Sequence, residues 1–129
     1  MRNYIFIYLF ATITILFADS YEVKLYENLF PKLFHKKIIN IYTDDNQKYF
    51  QKSKILKLTN FNKADIVILY KSQIICNKPI FSTSYISYIN SKAIGAFYWR
   101  KGRPQLILNK KMILYYHLHI DNSLKKYLK

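Results

Sequence analysis

Residues 65–70 read Asp-Ile-Val-Ile-Leu-Tyr (DIVILY), four aliphatic residues in a row with no polar residue between them. A strand with one wet face alternates apolar and polar residues. A short unbroken aliphatic run instead marks a strand covered on both faces, as in a parallel sheet between two layers. DIVILY is therefore the expected central strand, and its neighbours follow on either side. Upstream, Ile38–Thr43 (IINIYT) is β-branched and aromatic and reads as a strand, with a weaker one at Ile55–Leu58. Downstream, Pro79–Thr83 (PIFST) reads as a strand opened by proline. Apolar runs alternating with helical stretches imply βαβ units and parallel pairing.

The helical stretches have their own signals. In Tyr21–Lys37, Val23, Tyr26, Phe30, Leu33 and Phe34 recur at three- and four-residue steps. Ser20 suits the N-cap, and Glu22 lies in the first turn, where the helix dipole favours an acid. Pro31 should kink this helix or restart it near Phe30. Asp44-Asp45-Asn46 offers turn and capping chemistry ahead of a short helix at Gln47–Lys52, with Tyr49 and Phe50 turned inward. Ser84–Ser91 has no clear period and reads as either a loop or one helical turn.

Farther on, Ile94–Trp99 and Pro104–Leu108 flank the basic break Arg100-Lys101-Gly102-Arg103, the pattern of a β-hairpin. Pro104 has no amide donor, so the second arm should begin at a non-bonded position or at an edge. Asn109 suits the N-cap of a helix over Lys110–Tyr116, and Asp121 that of a last helix over Asn122–Leu128. The reading is α/β: a single small domain over residues 19–129, with a mixed sheet, flanking helices and a C-terminal antiparallel hairpin followed by helices.

Residues 1–18 (MRNYIFIYLFATITILFA) stand apart. Arg2 is followed by an uncharged stretch from Tyr4 to Phe17 and the small residue Ala18, the layout of an export signal cleaved after Ala18. The stretch falls short of the roughly 20 apolar residues that span a bilayer comfortably. An uncleaved anchor or a packed N-terminal helix is the alternative. The expected compartment is therefore periplasmic.

With 129 residues, 51% of them hydrophobic and 18% aromatic, the chain can close one core and is not of disordered composition. Its formal charge of +14 would ordinarily suggest nucleic acid. An exported protein does not meet the genome, and only Arg2, Arg100 and Arg103 carry the planar fork that binds phosphates bidentately. Lys, Ile, Asn and Tyr supply almost half the chain, so codon composition accounts for part of the lysine excess. A solvated lysine surface, an anionic membrane surface or an acidic protein partner are the readings kept, and no nucleic acid is expected.

Candidate chemistry is sparse. His117-Leu118-His119 would put two rings on one side of an extended segment, but no third ligand other than Asp121 is near, so no metal is expected. Cys76, the only cysteine, lies in an apolar segment without a neighbouring base and reads as a buried thiol. Only two glycines occur, which excludes Walker and dinucleotide motifs, and no cofactor is expected. Ser82, Thr83, Ser84 and Tyr85 follow a strand at the end where α/β sheets hold ligands, and are the candidate ligand-binding residues. Tyr98, Trp99, Arg100 and Arg103 surround the hairpin tip and are the candidate partner-binding residues, being of the types that anchor interfaces. Alternation places Phe97 and Trp99 on one face and Ala96 and Tyr98 on the other.

The final third resembles the periplasmic YfiR/HmsC-like family. The likeness rests on Ile94-Gly95-Ala96-Phe97, the turn at Gly102-Arg103, Leu106-Ile107-Leu108-Asn109, and the tail Leu118-His119-Ile120-Asp121-Asn122-Ser123-Leu124, with Asp65–Leu69 similar to the family's apolar strand. The family's paired cysteines are reduced here to Cys76. The resemblance implies a small non-catalytic α/β periplasmic domain that regulates a membrane-bound sensor or signalling protein. DIVILY followed by PIFSTSY is also similar to one lobe of a periplasmic solute-binding protein, which implies a small-ligand carrier; a secreted enzyme is the third class.

Overall fold

The computed structural model describes residues 21–45, 50–72, 74 and 76–129. The expected export signal and the Ser20 cap lie outside these residues, as does the first half of the expected helix at Gln47–Lys52, Tyr49 included. Phe50, at the edge of that stretch, is buried as expected.

Helix α1 covers residues 21–34 and is followed by strands β1 (Ile39–Thr43), β2 (Leu56–Leu58), β3 (Ile66–Leu69) and β4 (Ile80–Ser82). Helix α2 (Tyr85–Asn90) leads to the hairpin β5 (Gly95–Arg100) and β6 (Arg103–Leu108), then to helix α3 (Lys110–Tyr115). Two 3-10 turns, Phe61–Lys63 and Asn122–Tyr127, complete the described elements. The final segment is thus 3-10 rather than α, although Asp121 caps it as expected, its side chain accepting from the Ser123 amide.

The sheet order is β2-β1-β3-β4-β5-β6, parallel throughout except for the antiparallel pair β5–β6. All four residues of β3 are buried, because β1 and β4 flank it and both faces are covered. Its alternation feeds two cores. Ile66 and Ile68 join Ile39, Ile41, Phe81 and Phe97 on the first face, and Val67 and Leu69 join Ile80 and Ala93 on the second.

The first face is closed by α1. Tyr26 stacks on Phe30 at 4.9 Å and meets Phe81 edge-on at 5.4 Å, while Phe30 meets Phe81 at 5.3 Å. Offset and edge-to-face geometries of this kind add about 0.5–1.5 kcal/mol per pair beyond area burial. They bear on one of the two outcomes expected at Pro31, a restart near Phe30, which does not occur. Helix α1 runs through Pro31 to residue 34, because Leu29, Phe30 and Leu33 are buried around it. Their burial outweighs a proline penalty of about 3 kcal/mol. The helix ends at His35 in left-handed backbone (φ 53°).

The second face receives a thinner cover: the six residues of α2, the turn at Phe61–Lys63, and the side chains of Ile74 and Cys76. Lys78 braces it, donating from Nζ to the carbonyls of Asn62 and Ala64 at 2.8 and 2.9 Å. Among the described residues, no helix is long and apolar enough to cross a membrane.

The hairpin turns on two residues, Lys101 (φ 51°) and Gly102 (φ 74°). Positive φ at both is what a type I′ turn requires, and the twist of that turn matches the strands. Arg100 and Arg103 pair directly, Trp99 faces Pro104, and the Asn109 amide bonds the Ile94 carbonyl. Alternation from there makes Trp99–Pro104 a non-bonded pair, so the missing proline donor falls where no ladder bond is needed. Beyond β6, Leu108 bridges Leu128 and the Lys129 amide donates to the Leu108 carbonyl.

Gly95 begins β5 where a side chain has no room. A Cβ there would lie 2.8 Å from the Ile107 carbonyl oxygen, from Leu108 Cδ2 and from Phe81 Cε2. Gly95→Ala should therefore destabilise the domain by about 1–3 kcal/mol, read as a lowered urea midpoint.

The β1–β3 junction is held by a carboxylate. Asp44 follows β1 and accepts from the amides of Tyr70, Lys71 and Ser72 beyond β3. Burial alone would raise its carboxyl, but these three amides and the Ser72 hydroxyl outweigh burial and hold it below the ordinary aspartate value. A depressed carboxyl stabilises the fold above its unfolded value, about 3.9, and the contribution fades as pH falls through the folded value. Asp44→Asn should cost about 1–3 kcal/mol at pH 7. The gap from wild type should narrow on acidification below about pH 4, measured by denaturation at both pH values.

Candidate functional site

Helix α2 is amphipathic in reverse. Ser84 caps it, its Oγ accepting from the Ser87 amide. The inward positions are Ser87 and Ser91, both buried, whereas Tyr85, Ile86 and Ile89 are exposed, Ile86 to 67%. A helix that turns serines inward and isoleucines outward shows no usable hydrophobic period, which is why the sequence left this segment open. The buried hydroxyls satisfy one another. Ser87 Oγ donates to Ser82 Oγ at 3.1 Å and lies 3.5 Å from Ser91 Oγ.

The expected ligand-binding residues separate accordingly. Ser82 is fully buried in this hydroxyl chain. Thr83 donates from Oγ1 to the Leu69 carbonyl at 2.8 Å, tying β4 to β3, and Ser84 caps α2. Tyr85 is half exposed, and Ser84 is exposed as well while it caps α2. Thr83→Ala should cost about 0.5–1.5 kcal/mol of stability with no ligand present, measured by thermal or urea unfolding.

The expected partner-binding residues lie on both faces of the hairpin. Trp99, 45% exposed, sits over α1 with Tyr21 at 5.9 Å and Phe97 at 5.8 Å. Tyr98 points to the other face and meets Tyr85 at 6.2 Å, with Tyr88 a further 6.2 Å beyond. By strand alternation Arg100 and Arg103 share the Tyr98 face. The fold thus gathers residues that the sequence had assigned to two separate sites: Tyr85, Tyr98, Arg100 and Arg103 lie along one face at the end of the sheet where the parallel strands finish. Burial first, then the neighbouring Tyr85 and Tyr98, pushes the Tyr88 phenol above its usual range.

The described acids are engaged with protein groups. Glu22 accepts from the Tyr70 hydroxyl, Glu27 from Ser53, and Asp65 from both the Asn40 amide and Lys36. Asp45 pairs with Lys71, and Asp121 accepts from Ser123. With Asp44, all six described acids bond protein groups. The lysines and arginines dominate the remaining surface.

At the opposite end of the sheet lies a groove of about 650 Å³. It is bounded by Asn77 ahead of β4, Ser91 and Lys92 ahead of β5, and Asn109 and Lys111 at the start of α3. Its walls are Ile80, Tyr88, Ile89, Met112, Tyr115 and Tyr116, with Cys76 among them. Cys76 is a half-buried free thiol whose Sγ lies 3.6 Å from the Lys78 carbonyl oxygen. Tyr116 donates to the same carbonyl at 3.1 Å. Burial, then Cys76 and Tyr115, raises the Tyr116 phenol. These residues come from three separated segments, so no local motif announced the groove.

The condition under which His117 and His119 would share a side, an extended segment, is not met. His117 adopts φ 57°, so the His117–His119 segment is not extended. His119 lies instead against His35, ring centroids 4.4 Å apart, its amide bonding the Leu33 carbonyl. Among the described residues, no group of three or more His, Cys, Asp or Glu could hold a metal ion.

Comparison of the chain with protein-family models, with curated proteins and with solved structures finds no match.

Proposed function

We propose that this protein is a non-catalytic periplasmic binding module that regulates a membrane-bound signalling partner, docking through the tip of the β5–β6 hairpin onto an acidic surface. The observation that carries this reading is the directly opposed pair Arg100–Arg103. Like charges facing each other across a ladder cost up to about 1 kcal/mol. This chain places two of its three arginines in that arrangement, beside Lys101. An acidic group from a partner relieves the repulsion, and paired guanidinium forks suit carboxylates geometrically. Exposed Tyr85 and half-buried Tyr98 lie on the same face as aromatic anchors, and Trp99 offers a second one around the edge. The short turn holds the two cations in register, which lowers the entropy lost on docking. The likeness of the final third to YfiR/HmsC-like proteins supports the same reading.

The test separates binding from folding by opposite signs. Arg100→Glu turns the repelling pair into an attracting one and should raise stability by about 0.2–1 kcal/mol. The same substitution should abolish retention of the membrane protein that wild type captures from solubilised envelopes, and Trp99→Ala should weaken it. Retention unchanged by Arg100→Glu, or no membrane protein retained by wild type, would remove the hairpin from the function.

A further inference from the structure

We propose that the groove between α2 and α3 is a binding site for a small amphiphilic monoanion, an apolar chain or ring bearing one carboxylate. This inference does not rest on the hairpin reading, since the groove lies at the other end of the sheet. Its volume falls within the range of about 300–1,000 Å³ usual for small-molecule sites. The walls provided by Ile80, Tyr88, Ile89 and Met112 suit a hydrocarbon body. Two of the apolar groups along it are left in solvent, Ile89 at 57% and Tyr115 at 70% exposed. Covering them removes apolar surface from water, which is favourable.

The rim sets the charge of the ligand. Lys92 and Lys111 both border the groove, and no acid does. Asn77 and Asn109 add amides, that of Asn109 already accepting from the Met112 amide through its oxygen. Lys92 holds φ 51°, a backbone region where glycine or asparagine is the usual choice. A lysine holds that conformation only with backbone strain that glycine would not carry. An apolar trough whose charged rim groups are all cationic is complementary to a ligand with an apolar body and an anionic head. A neutral or cationic amphiphile leaves the two ammonium groups without a counter-charge. The shallow, open form of the site fits a free ligand that is loaded and released.

The groove carries its own reporter, because Cys76 is the only thiol in the chain. Full-length protein is titrated with dodecanoate below its micellar concentration while iodoacetamide alkylation of Cys76 is followed. Saturable, equimolar protection is expected, with dodecanol and dodecyltrimethylammonium about tenfold weaker. The double variant Lys92→Glu/Lys111→Glu alters only exposed side chains and should reverse the preference toward dodecyltrimethylammonium. Should it fail to fold, Lys111→Gln alone should weaken dodecanoate protection selectively. Equal protection by all three amphiphiles, or by none, overturns the proposal. So does protection by phosphatidylglycerol vesicles in the absence of any effect of free dodecanoate, which would assign the groove to a membrane surface. Arg100→Glu should leave dodecanoate protection unchanged, which keeps this result separate from the fate of the hairpin reading.

Discussion

A parallel sheet must be covered on both faces, and among its described elements this chain has one long helix with which to do so. That constraint shapes everything else. Helix α1 closes the first face with interlocked rings around Tyr26, Phe30 and Phe81. The second face is left to short elements and connections, shared among α2, the turn at Phe61–Lys63, Ile74 and Cys76. Where that cover thins, at the start of β4 and β5, a groove remains. The two faces differ in chemistry for the same reason. Aromatic rings fill the deep side, while the shallow side is finished with serine hydroxyls, a lysine brace and outward-facing isoleucines.

Acid placement follows a second constraint. A chain with seven acids and 21 basic residues cannot neutralise its surface with ion pairs. The described acids instead serve the backbone and hydroxyl groups at joints: Asp44 between β1 and β3, Asp65 at the mouth of the same strands, and Glu22 and Glu27 along α1. Charge-assisted hydrogen bonds at such joints contribute more than exposed ion pairs would. The outside is left strongly cationic as a consequence, whatever mixture of codon bias and selection produced the lysines.

Much of the architecture was legible in the sequence because its signals are local. DIVILY reads as a doubly covered strand with no knowledge of its neighbours, and Lys101-Gly102 between two apolar arms can form little but a tight hairpin. Asn109 and Asp121 cap in place because a side-chain acceptor needs only the next few amides. What stayed hidden depends on contacts between distant segments. Pro31 remains helical because residues 29, 30 and 33 are buried by β-strands, which no helix rule contains. Ser84–Ser91 resisted assignment because its buried residues are serines satisfied by Ser82 on another element. The strand-end hydroxyls looked available for a ligand only while their partners, such as the Leu69 carbonyl beyond Thr83, were out of view. The candidate surfaces were half visible: the hairpin residues were named, but their division between two faces and the company of Tyr85 come from tertiary packing.

The covering of β6 carries one more implication. By register, the residues of this strand whose backbone polar groups face away from β5 are 104, 106 and 108. Pro104 has no hydrogen to give, and the carbonyl of Leu108 is taken by Lys129. Among the described residues, Leu106 is thus the one rung of this strand whose outward amide and carbonyl both remain open to a foreign strand. Such a border resists the sideways growth by which sheets polymerise. It also means that visitors to this side of the molecule must be recognised by side chains, since the main chain offers almost nothing to zip onto.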